Sequence, residues 1–370
     1  MMKKTLLALA AAAVLAGCSA PSSQAPTELE DYNSIAEPDV VWSKSVGESL
    51  TNYLVPSVVG SSVYVAGGNT VYRLDADDGD EVWSFDTDAP VAAGVGSDGY
   101  IIAVGTAKGE LVVLDAEGKK LWSTFLTSEM DAVPLVGNGL VIVRTADTRV
   151  TAFDASSGEQ RWRYQRQAPS LTIKNASGMI FFGPMILVGQ SNGYLLGLSA
   201  EGRPVWQALI SEARGITEVE RLVDILGTPM INRDLLCASA FQGRLVCMDA
   251  TNGQLRFTHD VTAMTPPAAD DRFVYIGNTA SELYAFDRTR GYPVWKNEKL
   301  KWRGVRAITP MSGVVAVGDS EGYVQILNPE SGDIIGRTRL DGAIVSPAQS
   351  YEQGAIFQTE EGEVAFIKVQ

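Results

Sequence analysis

Few residues in this 370-residue chain have the type and spacing for chemistry. His259 is the one histidine, so a Ser-His-Asp triad, a Cys-His dyad or a polyhistidine metal site would have to run through it alone. It stands beside Asp260 in a connection between repeated units, where it reads as a solvated loop residue. Gly94 to Gly99 (GVGSDG) matches the GxGxxG pattern of dinucleotide-binding turns. Tyr100 to Val104 (YIIAV) then continues as a strand, not as the helix whose N-terminus would hold a pyrophosphate, so a hairpin turn is expected. Cys237 and Cys247 flank Phe241-Gln242-Gly243 in what reads as a hairpin; either they bridge facing strands or they remain two buried thiols. Two cysteines without further ligands make no metal site. The residues therefore offer no catalytic set, no metal set and no cofactor site, and a protein that is not an enzyme is expected.

The elements that would position any site are legible in a repeat. Val71 to Trp83 (VYRLDADDGDEVW) reads as two strands and a turn, with Asp75 accepting backbone N–H groups ahead of it and Gly79 supplying a positive φ. Near-copies follow at Leu111–Trp122, Val150–Trp162, Leu195–Trp206, Leu245–Phe257 and Leu283–Trp295, then a degenerate one at Val324–Gly336 and a truncated one at Val364–Gln370. The turn position falls at residues 75, 115, 154, 199, 249, 287, 328 and 368, a period near forty that predicts four strands per unit and hence a β-propeller. The recurrent indole is expected to fill the gap between one unit and the next. Pro56, Pro134, Pro229, Pro266, Pro310 and Pro347 mark where each first strand would begin, because proline is tolerated there and not mid-sheet. The last unit lacks its final strand, while Val40 to Val46 (VVWSKSV) looks like an orphan second half. The prediction is an all-β, eight-bladed propeller with four-stranded antiparallel blades, spanning 40–370, its last blade closed by the N-terminal strand.

Residues 1–17 form a signal peptide, with Lys3 and Lys4 followed by an apolar run too short to span a bilayer permanently. Leu15-Ala16-Gly17-Cys18 resembles the lipobox of bacterial lipoproteins, in which the cysteine is acylated and becomes the N-terminus. More than one acyl chain on Cys18 would anchor stably. Ser19 stands where Asp is the usual inner-membrane retention signal, which points to the outer membrane. Residues 18–39, rich in Pro, Ser, Glu and Asp, read as a flexible tether with a reach of roughly 25 Å. The net charge, −14 for the whole chain and −16 once Lys3 and Lys4 leave, makes nucleic acid and anionic lipid poor partners.

Function is sought where the period breaks. The repeat lengthens around Gln165–Asn175 and again around Ile210–Asp224. Insertions in repeat proteins map to loops that often carry a binding face. The first exposes Leu171 and Ile173 beside cations; the second alternates charge with Ile216, Val219 and Leu222 at helical spacing, and the two together read as a partner site. A basic stretch, Lys296 to Arg306 (KNEKLKWRGVR), reads as a solvated loop, with contact to an acidic partner as the alternative.

In outline AxDxxxGxxxW, the repeat resembles that of quinoprotein dehydrogenases, a fold family that includes non-enzymes. More specifically, the lipobox, the eight repeats, Gly215–Asp224 (GITEVERLVD) and Val317–Tyr323 (VGDSEGY) together resemble the BamB family of propeller lipoproteins of the β-barrel assembly machine of Gram-negative outer membranes. The resemblance covers the whole chain. It implies a non-catalytic scaffold, lipid-anchored on the periplasmic face of the outer membrane. Such a scaffold binds the POTRA domains of the barrel-forming subunit BamA and helps nascent outer-membrane proteins reach the machine. Family contacts fall in the two inserted loops, which implies partner-binding roles for Leu171, Ile173 and Lys174 in the first and for Thr217, Glu218, Arg221 and Asp224 in the second. The family often has Arg where Lys174 stands and a second Asp where Leu226 stands; Lys lacks the bidentate grip of Arg. Two competing readings are a quinone-dependent dehydrogenase and a propeller that binds a periplasmic glycan in its central funnel. The first lacks the adjacent Cys-Cys pair and the large insertions of many such enzymes.

Overall fold

Alternation of apolar and polar residues over five- to seven-residue runs, punctuated by Asp and Gly, dictates strands and tight turns throughout. The computed structural model describes residues 24–48, 54–166, 171–173 and 177–369, and every regular element among them is a β-strand. The strands form eight four-stranded antiparallel sheets, arranged as an eight-bladed propeller. In sequence the blades occupy 57–86, 91–125, 135–165, 179–209, 230–259, 268–297, 307–339 and 349–369. Blade eight is completed by Pro38–Ser45, which pairs antiparallel with Glu363–Val369 and sets Trp42 opposite Phe366. The closing strand is thus the one expected, beginning two residues before the expected boundary at residue 40. The GVGSDG motif ends an inner strand, Val91–Ser97, and turns into the next, Ile101–Thr106, as a hairpin.

Strand direction alternates within each blade. The connections between blades and the turns between second and third strands therefore share one face of the ring, here termed the upper face. Inner strands surround a central channel of about 1200 Å³, lined by Pro56, Pro134, Pro229, Pro266, Pro310 and Pro347 among mainly apolar side chains. Apolar clusters are shared between neighbouring blades: Tyr64 and Val71 of blade one pack with Ile102, Val104 and Leu114 of blade two.

The repeated tryptophan staples five of the eight blades to the next. Trp42, Trp83, Trp122, Trp162 and Trp295 each donate Nε1–H to a carbonyl in the following blade's third-to-outer turn, at Ala76, Ala116, Ala155, Ala200 and Pro329, over 2.7–2.9 Å. The indole lies flat on the glycine of that turn. A Cβ on Gly79 would sit 2.6 Å from the Trp42 ring, and Gly118, Gly158, Gly202 and Gly332 are equally filled. Each of these glycines also has φ between 73° and 79°. The aspartate of the same turn accepts the N–H groups ahead of it, as Asp75 does from Asp77 and Asp115 from Glu117 and Lys119.

His259 is not a solvated loop residue. It ends the outer strand of blade five, Leu255–His259, half-buried, stacks on Phe286 at 3.8 Å and bonds through Nε2 to the Gly291 carbonyl at 2.7 Å. Phe257 occupies the tryptophan position there and has no N–H, so the histidine two residues on makes the polar contact to the next blade. Cys237 and Cys247 face each other in register and form a buried disulfide. From Thr27 onward the expected tether is not free: residues 27–36 run along blades six and seven and are held there by hydrogen bonds. The signal peptide and Cys18 lie outside the described residues.

If the staple carries blade closure, Trp42→Ala should lower unfolding free energy by about 3–5 kcal/mol, because a buried indole and its bond across the ring seam are lost together. Trp42→Phe should cost about 1 kcal/mol for the bond alone. Urea denaturation followed by far-UV circular dichroism measures both.

Candidate functional site

Both insertions emerge on the upper face, one between blades three and four and the other between blades four and five. Of the first, Leu171–Ile173 is described, whereas Lys174 falls outside the described residues. The second opens with a single helical turn whose N-terminus carries a reciprocal cap. The Glu220 carboxylate accepts the Ile216 and Thr217 N–H groups at 2.9 and 3.0 Å, and the Thr217 hydroxyl accepts the Glu220 N–H at 3.3 Å. The Thr-x-x-Glu spacing of this segment is thus a capping box. These hydrogen bonds hold the Glu220 carboxyl below the usual carboxylate range. The turn ends after Arg221, whose N–H reaches the Thr217 carbonyl at 3.2 Å.

Beyond the turn the chain enters a buried seam. Val223 pairs with Asn192, Ile225 with Ala240, and Gly227 with Ser177, so 223–227 threads between blades four and five. Asp224 within it, expected as a partner contact, is fully buried, so its carboxylate is not displayed on the surface of the propeller. It accepts the Ile173 N–H at 3.2 Å and thereby ties the first insertion to the second. Nearby, buried Arg144 pairs with Asp131 at 3.1 Å and donates to the Ser191 hydroxyl at 3.2 Å. Burial pushes the Asp224 carboxyl above the usual carboxylate range against the opposing pull of Ser191, Ile173 and Arg144. Burial likewise raises Asp131 against Arg144.

The other expected site residues sort by exposure. Thr217, Glu218 and Arg221 are exposed, Leu171 is 43% exposed, and Ile173 is half-buried where it lines the channel. Two residues absent from the implied contact set stand out: Ile216 is 97% exposed and Val219 58%. Their apolar spacing on the capped turn was visible in the sequence, but only the fold shows that their side chains point away from the core. Beside the turn lies a polar cleft of about 360 Å³ bordered by Glu212, Arg214, Glu220, Arg244 and Asp260. The assembled surface is a pair of apolar protrusions in a charged surround, suited to docking a folded partner and holding no catalytic set among the described residues. No group of three or more metal-ligating side chains occurs among them either.

Comparison with known proteins finds relatives over most of the chain. The family model described as outer membrane protein assembly factor BamB matches residues 35–93 and 67–297. The chain is 38% identical to the outer membrane protein assembly factor BamB of Burkholderia pseudomallei, across 92% of this chain and 90% of that one. It is 37% identical to the protein of the same description from Bordetella pertussis, across 96% and 94%. The crystal structure of BamB from Moraxella catarrhalis superposes with a TM-score of 0.83 at 26% identity, covering 90% of this chain and 99% of that one.

The Asp224 seam makes a prediction with a sign. A carboxyl whose folded pKa is raised stabilises the fold most when protonated, so its contribution falls as pH rises from about 4 through the raised folded value. Asp224→Asn keeps an acceptor for Ile173 and does not titrate. Its stability relative to the parent should therefore improve as pH rises above about 4, as read from urea midpoints between pH 4 and 8. A constant difference across that range would show that Asp224 does not titrate differently on folding.

Proposed function

The chain belongs to the BamB family of outer membrane protein assembly factors, and we propose that its part in that assembly is that of a non-catalytic scaffold. Cys18 carries the lipid anchor that holds the propeller on the periplasmic face of the outer membrane. The joined insertions of the upper face dock on the POTRA domains of a BamA-like barrel subunit, and nascent outer-membrane proteins are brought to the barrel subunit by way of the complex.

The observation that carries this reading is the seam itself. Two consecutive insertions, the longest interruptions of an otherwise regular ring, are fused by the Asp224–Ile173 hydrogen bond and expose Leu171, Ile216 and Val219 together with Glu218 and Arg221. Exposed apolar anchors ringed by charge are the anatomy of a protein interface, and a buried bond beneath them reduces the ordering cost of binding. Asp224 then acts as a positioning residue for Leu171 and Ile173. A glycan-binding funnel fits the channel poorly, because its lining is chiefly Val, Ile, Pro and Met, with Arg306 the only charged side chain among the described lining residues.

Leu171→Asp, Ile216→Asp and Val219→Asp combined should abolish co-purification with the barrel subunit in mild detergent, while stability stays within about 0.5 kcal/mol per site because all three are on the surface. Asp224→Ala should weaken co-purification and also lower stability, by about 1–3 kcal/mol, by removing a buried acceptor. Undiminished capture of the barrel subunit by the triple variant would overturn the assigned surface.

A further inference from the structure

Blade seven is the exception in the ring. Outer strands of blades one, three and four alternate between exposed and half-buried residues along their length. In the outer strand of blade seven, Ile334–Arg339, the residues Ile334, Ile335 and Gly336 are all buried. What covers them is the chain's own N-terminal segment. The Ile335 carbonyl accepts the N–H groups of Ile35 and Ala36 at 2.9 and 3.1 Å. Gly336 stands at the tryptophan position of the repeat, and a Cβ there would lie 1.9 Å from the Ala36 carbonyl oxygen. Blade eight has no third-to-outer turn to receive an indole, since its outer strand comes from the far end of the chain. The degenerate seventh repeat is therefore shaped to admit the segment.

The contacts continue to the upper face. The Arg337 guanidinium lies 4.8 Å from the Tyr32 ring centroid and donates to the Glu30 carbonyl at 3.2 Å. Thr27 donates its N–H and its hydroxyl to the Lys301 carbonyl at 3.0 and 2.8 Å. Arg303, only 2% exposed, divides its guanidinium among Asp319 at 2.7 Å, Glu321 at 2.7 Å and the Thr27 carbonyl at 3.0 Å. Lys299 faces Glu30 at 3.5 Å, and Lys296 and Lys301 pair with Glu282. The basic stretch 296–306 is thus not simply solvated: part of its charge meets an acidic segment of the same chain, and Asp319 of the VGDSEGY motif holds the arginine that grips it.

We propose that residues 27–36 form a strap that latches the seam between blades seven and eight in place of the missing indole staple. The strap also fixes where the chain leaves the propeller, on the upper face above the junction of blades six and seven. Its mounting role rests on Cys18 carrying the anchor; the latch does not. Eight residues lie between Cys18 and Thr27. Nine residue steps span at most about 32 Å however they are arranged, against about 72 Å for the twenty steps from Cys18 to Pro38 at the start of the first strand. The anchor therefore holds the blade six–seven side of the upper face near the bilayer, and the insertions flanking blade four lie across the ring, on the side left free for a partner.

Hydrogen exchange on the full mature chain carrying Cys18→Ser tests the latch without the lipid. The Ile35 and Ala36 amides should be protected, and Gly336→Trp, which restores the indole of the other repeats, should cut that protection at least about tenfold by expelling the strap. The Val317 amide, within the same blade, should stay protected and so report that the ring remains folded. Unprotected Ile35 and Ala36 in the parent, or protection unchanged by Gly336→Trp, overturns the latch. For the mount, acylated chains carrying a fluorophore at Glu298→Cys or at Asp147→Cys are placed in phosphatidylethanolamine vesicles with a lipid-borne quencher. Stronger quenching at position 298, lost on adding Gly336→Trp, is expected; equal quenching at both positions overturns the mounting role even where exchange upholds the latch.

Discussion

An indole laid on a glycine holds this ring together. Eight blades touch mainly through side chains, and a flat sheet-to-sheet contact would slide if only methyl groups met. The tryptophan at the middle of an outer strand removes that freedom twice over. Its ring fills the space that a missing Cβ leaves on the neighbouring turn, and its N–H ends on a carbonyl of that same turn. One contact thus fixes both spacing and angle between blades, and the Asp that shapes the receiving turn is part of the same device.

The departures from this device are as orderly as the device. Where phenylalanine replaces tryptophan in blade five, His259 makes the polar contact to the next turn, which accounts for the chain's one histidine without any catalytic role. Where the next blade has no turn to receive an indole, glycine takes the position and the N-terminal segment fills the space. The repeat specifies the blades, so the longest departures from it fall in the connections. The two long ones are held together by a carboxylate with no surface of its own. A charge buried this deeply is costly without partners, and Ile173, Ser191 and Arg144 surround it. The cost is consistent with its use in positioning, since it ties Ile173 to the segment 223–227.

The sequence by itself determined the architecture. Asp, Gly and Trp at fixed offsets specify turn and staple through local geometry and side-chain size, so a period near forty could be converted into blades, and a closing strand could be recognised from the orphan half-motif Val40–Val46 and the last unit's missing strand. The two insertions were visible as breaks in that period, and the GxGxxG motif could be set aside because a strand follows it. Only the tertiary structure decided which residues in those insertions face outward. Asp224, implied only as a partner contact by the resemblance, is buried, because its environment comes from blades three and four, about thirty to eighty residues away in sequence. Composition likewise suggested a free tether from residue 18 to 39, since few apolar residues there could form a core of their own. What holds residues 27–36 is a buried arginine, a backbone carbonyl and an empty tryptophan position some three hundred residues onward, and long-range pairing of that kind leaves no period in the sequence to read.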